Sequence, residues 1–89
     1  VSKFTKGQIV VATKTRRASC GRIIIHEGAI VKVANPHRDS WNDIEVYKSL
    51  KREKYDHITD VNEDTLRAAT EAEILAFAKG VRNISMVTT

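Results

Sequence analysis

One cysteine, one proline, one tryptophan and three leucines are the scarce residues of this 89-residue chain. A lone thiol, Cys20, cannot close an internal disulfide, and that cysteine usage fits a reducing, cytoplasmic setting. No apolar run reaches half the length needed to cross a membrane; the longest uncharged block near the N-terminus is Gly7 to Thr13. The opening Val1-Ser2-Lys3-Phe4 lacks the long apolar region of a secretory signal, so neither membrane insertion nor export is expected. There is no P-loop, no G-x-G-x-x-G and no G-x-S-x-G. His26, His37 and His57 lie eleven and twenty residues apart, which is not the close pairing that zinc ligands need. Arg16, Arg17 and Arg22 around Cys20 are cations of the kind that activate a thiol, but no base is placed beside it. The expectation is a protein that is not an enzyme and holds no metal or cofactor.

Other residues are abundant. Nine Ile and nine Val favour pleated, half-buried strands over helices. Five of the nine alanines and two of the leucines fall between Leu66 and Lys79, where one helix is expected. At 42% hydrophobic and 29% charged, the chain has the composition of a folded domain. Its length suits one domain that buries about 64% of its unfolded surface. Charge is split along it. Residues 1–55 carry twelve Lys/Arg against five Asp/Glu, a net +7, while residues 56–89 carry three against six, a net −3. The plan is a basic β portion over 1–61, a helical segment over 62–80 and a terminal strand or tail over 81–89.

Gly7 opens a first strand over Gln8–Thr15. Arg16–Gly21 has no apolar period and is expected to be a loop. Arg22–Ile25 is a continuous β-branched run, expected to be a strand buried on both sides. His26-Glu27-Gly28 is a tight turn, with Gly28 able to take a positive φ, and Ala29–Ala34 returns as the hairpin partner. Asn35–Ser40, around Pro36, is the clearest loop in the chain. In Ile44–Lys48, Ile44 and Val46 face inward and Glu45 and Tyr47 outward. Tyr55–Val61 is a short strand with Ile58 in the core. A single turn is expected at Glu63–Arg67, then a helix from Glu71 to Lys79 opened by a Thr70/Glu73 capping box. Ile74, Phe77, Ala78 and Val81 form its apolar stripe, and Lys79-Gly80 its stop.

Lys6–Val11 as an opening strand and Gly21–Val33 as a central hairpin resemble an SH3-like barrel of the Tudor or KOW type. Asn62–Ile74 is similar to closing segments of small tailed-phage proteins. The resemblance implies a mainly β fold, a small barrel of about five short strands with one C-terminal α-helix. It also implies a regulatory role in a host cytoplasm.

Basic loops are the strongest functional signal. Lys14, Arg16, Arg17 and Arg22 surround one loop, and Lys48, Lys51, Arg52 and Lys54 another. If the loops converge, the eight cations form one patch, and engaging about four to six phosphates gives a log–log salt slope of about −4 to −5. Tyr47, on an outward face, and Trp41, in the polar loop, are candidate rings for base stacking. This pattern points to nucleic acid, DNA or RNA, bound with low sequence specificity. The alternative is a protein-interaction module that uses Trp41 and Tyr47 to hold a host protein. Either form is compatible with a monomer or with a homodimer joined through an edge strand near Val81–Val87. Arg16-Arg17-Ala18-Ser19 also matches a basophilic kinase site, where phosphate would cancel much of the local positive field.

Overall fold

The computed structural model describes residues 3–38, 43–48 and 57–87. Its strands are β1 (Ile9–Ala12), β2 (Arg16–Arg17), β3 (Ile23–Ile25), β4 (Ile30–Arg38), β5 (Asp43–Tyr47), β6 (His57–Asn62) and β7 (Leu66–Ala68), and its helix is α1 (Glu71–Ala78). Strand β1 is short but buried on both faces, with Val10 and Ala12 on one side and Val11 on the other. Both of its edges are also paired: Val10 registers with Val31 of β4 and with Ala68 of β7. Among the described residues an antiparallel sheet runs β6-β5-β4-β1-β7, and β2 and β3 form a separate two-stranded ribbon. The domain is therefore mainly β with one C-terminal helix, as the Ile/Val excess predicts.

Alternation along each strand divides the sheet's side chains into two packed groups. Val10, Val31, Val33, Ile44, Val46 and Val61 fill the larger core, joined by Phe4, Leu66 and Ile25 from the ribbon. Val11 and Ile30 face the other way and meet Phe77 of α1, with Val81 and Ile84 packed around them. The helix thus covers part of the sheet's second face.

Several local expectations are corrected by this pairing. Arg16 and Arg17 are not loop: they register with Ile25 and Ile23 across a shifted ladder, which satisfies backbone groups without any apolar period. Strand β3 is not buried on both sides; Ile25 is buried but Ile23 and Ile24 are half-buried, because a ribbon has no second layer above it. Nor does β3 pair with β4. The chain turns at Gly28 (φ 84°), and β4 spends its two edges on β1 and β5. Strand β4 also runs through Asn35 and Pro36 to Arg38, where a loop was expected. Register shifts on either side of Asn35 accommodate a residue that has no N–H to donate.

Further along, β1 is shorter than the expected Gln8–Thr15. The expected strand Tyr55–Val61 appears as β6, with Tyr55 outside the described residues. The turn expected over Glu63–Arg67 is a 3-10 turn at Glu63–Thr65, after which Leu66–Ala68 is a strand. Leu66 enters the main core opposite Ala12, and that tertiary pairing overrides the helix preference of Leu and Ala. Of the apolar stripe, Phe77 is buried, Val81 half-buried, and Ile74 and Ala78 exposed, because the underlying contact is one ring wide. Residues 81–87 form no strand suited to dimerisation. They hold a 3-10 turn at Ile84–Met86 and one bridge, Ala29 to Asn83. Asn83 and Ile84 pack so closely on Gly28 that a Cβ there would sit 3.0 Å from each.

The helix start is as read from sequence. Thr70 Oγ1 accepts from the Glu73 N–H (3.2 Å), and Glu73 Oε1 accepts from the Thr70 N–H (2.8 Å). Glu73 also receives both terminal nitrogens of Arg67, at 2.9 and 2.8 Å, which ties α1 to β7. Arg82 closes the other end: its guanidinium lies 4.6 Å from the Phe77 ring centroid and donates to the Phe77 carbonyl. The Arg67 hydrogen bonds, with those of Thr70, outweigh desolvation and hold the Glu73 carboxyl down to about 2 from an ordinary 4.5. A folded-state pKa below the unfolded one means that this contribution is complete above pH 4.5 and is lost as pH falls from there through 2. Glu73→Gln keeps a capping-box residue but removes the charge. It is expected to lower stability at pH 7 by about 1–3 kcal/mol. Thermal unfolding at pH 7 and pH 3 checks this: the deficit relative to wild type shrinks at the lower pH.

Candidate nucleic-acid interface

The β2–β3 ribbon brings together one of the two predicted basic clusters. Its limbs meet in a three-residue loop, Ser19-Cys20-Gly21. Ala18 N–H donates to the Arg22 carbonyl (2.8 Å), Gly21 N–H donates to the Ala18 carbonyl (2.9 Å), and Gly21 takes a φ of 88°. This is the geometry of a three-residue hairpin loop with glycine in the left-handed position. Lys14 and Arg17 stand exposed on one limb with Arg16 half-buried between them, and Arg22 is exposed on the other. Arg17 Nη1 donates to the Gly21 carbonyl (3.1 Å), which pulls its guanidinium across the tip. Ser19, Cys20 and Gly21 are all exposed. At the base, Thr15 Oγ1 accepts from the Glu27 N–H (3.0 Å) and fixes where the ribbon leaves the body.

The second cluster is described in part. Lys48 is half-buried just past β5, and Lys51, Arg52, Lys54 and Trp41 lie outside the described residues. Tyr47 is on the sheet face opposite the main core, as alternation predicts, but it is half-buried. Its register partners are Lys32 on β4 and His57 on β6. Lys32 was missed as a site candidate, although the alternation that places Val31 and Val33 inward already sets it on the Tyr47 face. Its aliphatic stem runs beside Gly7, with Cε 3.9 Å from where a Cβ would stand.

Carboxylates are distributed unlike the cations. The first in the chain is Glu27, so the six Lys and Arg residues before it have no acidic neighbour in sequence. Among the described residues, two carboxylates engage the N-terminal segment at Lys3. Glu63 is buried and accepts from the Lys3 backbone N–H (3.0 Å), and Asp64 pairs with Lys3 Nζ (2.6 Å). No group of three or more His, Cys, Asp or Glu among the described residues is arranged to hold a metal ion, and none of their helices is long and apolar enough to cross a membrane. No protein-family model, curated protein or solved structure matches this chain.

The loop geometry makes Gly21 testable. A Cβ there would meet nothing within 4 Å, so Gly21→Ala carries a purely conformational penalty, about 1–2 kcal/mol. The expected result is faster hydrogen exchange at the Ala18 amide with little change at Val10 or Val31. Equal acceleration in the main sheet would mean that ribbon and sheet open as one unit.

Proposed function

We propose that this chain is a small, basic, non-enzymatic barrel of SH3-like type that binds nucleic acid in the cytoplasm with low sequence specificity. The observation that carries the reading is the β2–β3 ribbon: Arg16 and Arg17 form β2, Lys14 and Arg22 flank its strands, and residues 14–25 contain no carboxylate. Lysine and arginine held this way neutralise successive phosphates and release counterions, a contribution indifferent to sequence. Lys32 adds a cation to the sheet face that carries Tyr47.

Fluorescence anisotropy of labelled oligonucleotides at two salt concentrations tests this. Replacing Lys14, Arg16, Arg17 and Arg22 with Ala is expected to weaken binding and to reduce the log–log salt slope by about 3–4. An unchanged slope in a folded variant removes the ribbon from the interface.

A second reading, a protein-interaction module, has its own observation. Leu75 and Met86 are 62% and 69% exposed and line an open groove of about 200 Å³ between α1 and the C-terminal turn. Large apolar side chains left in water beside a groove are a feature of protein contacts. Under this reading Leu75→Asp abolishes partner capture and leaves oligonucleotide affinity untouched.

A further inference from the structure

We propose that the β2–β3 ribbon enters the major groove of B-form duplex DNA tip first, with Arg17 and Arg22 reaching phosphates or base edges on either side. This rests on the nucleic-acid reading and assigns it a substrate class. Shape comes first. Two antiparallel strands lie about 4.8 Å apart, and a groove about 12 Å wide admits such a ribbon. The leading residues, Ser19, Cys20 and Gly21, are small and exposed, so nothing bulky blocks entry.

Chemistry points the same way. From Thr13 to Ile25 there is no aromatic residue and no carboxylate. Single strands are held by stacking bases on exposed rings, and the ribbon has none to offer. A-form RNA presents a major groove too deep and narrow for side chains to read. Arginine, by contrast, carries a planar fork of five donors suited to phosphate oxygens and to guanine O6 and N7. Within the described residues Arg17 spends one of those donors on the Gly21 carbonyl. That bond orders the guanidinium at the tip before any ligand arrives and leaves the remaining donors for the duplex.

The single cysteine stands at the tip and supplies the probe. The experiment measures alkylation of Cys20 by iodoacetamide in the full chain, alone and with saturating duplex DNA at low salt. Anisotropy with duplex DNA, duplex RNA and single-stranded DNA runs in parallel. The expected result is strongest binding to duplex DNA, with Cys20 alkylated about tenfold more slowly in the complex as access to the thiol is lost. Arg17→Ala with Arg22→Ala is expected to restore alkylation and lower the salt slope by about 1.8. A minor-groove ligand such as netropsin is expected to leave the complex intact.

Duplex binding with Cys20 alkylated at its free rate would overturn the ribbon's role while leaving the nucleic-acid reading in place. Preference for single strands or duplex RNA, or displacement by netropsin, would overturn the major-groove assignment alone. Binding to none of the three nucleic acids at low salt would overturn both.

Discussion

Burial of β1 on two faces and pairing at two edges is the constraint on which the rest depends. Val10 and Ala12 require one layer, Val11 requires another, and the backbone between them requires a partner on each side. A strand so enclosed loses water from every direction, so each neighbour must be supplied by a distant part of the chain. β4 comes from the middle, and β7 and Phe77 from the C-terminal third. Phe77 is there because Glu73, gripped by Arg67 on β7, fixes how α1 departs from the strand that it follows. The acidic end of the chain is thus a structural clamp on the basic β portion.

The ribbon follows from the same constraint by exclusion. Between β1 and β4, the chain must travel out and back while both edges of β1 are already taken. The stretch from Arg16 to Ile25 therefore pairs with itself, anchors through Ile25 in the core, and leaves its far end in water. A segment in that position contributes little to the core, so its composition is free to serve another purpose. Its arginines and small residues are arranged at the place where the fold demands least.

Much of this architecture was legible in local patterns. Ile44 and Val46 alternate inward, Gly28 turns the chain, and Thr70 with Glu73 opens the helix; each depends on neighbours within a few residues. The errors cluster where pairing is long-range. Nothing local to Ile23–Ile25 says that its partner is Arg16–Arg17 rather than Ile30–Val33, and nothing in Leu66-Arg67-Ala68 says that an open edge of β1 awaits it. Pro36 was misread for a related reason, since a bulge inside a long strand looks in sequence like the start of a loop. Among site residues, the cations at 14, 16, 17 and 22 were visible as a charge cluster. For Lys32 the alternation gave its face, while its position beside Tyr47 exists only through the β4–β5 register.

By itself the amino-acid sequence determined that this chain would be mainly β, where the Gly28 turn and the helix start would fall, and that its first third would carry an excess of positive charge. These are properties of residue type and short spacing, governed by side-chain branching, backbone freedom and ionisation. Tertiary structure decided which strands meet, that the arginines share one self-paired ribbon, and that one ring of the helix stripe reaches the sheet. Those outcomes depend on which buried edges and faces remain unsatisfied once β1 is enclosed, a competition among distant segments that short spacing does not encode.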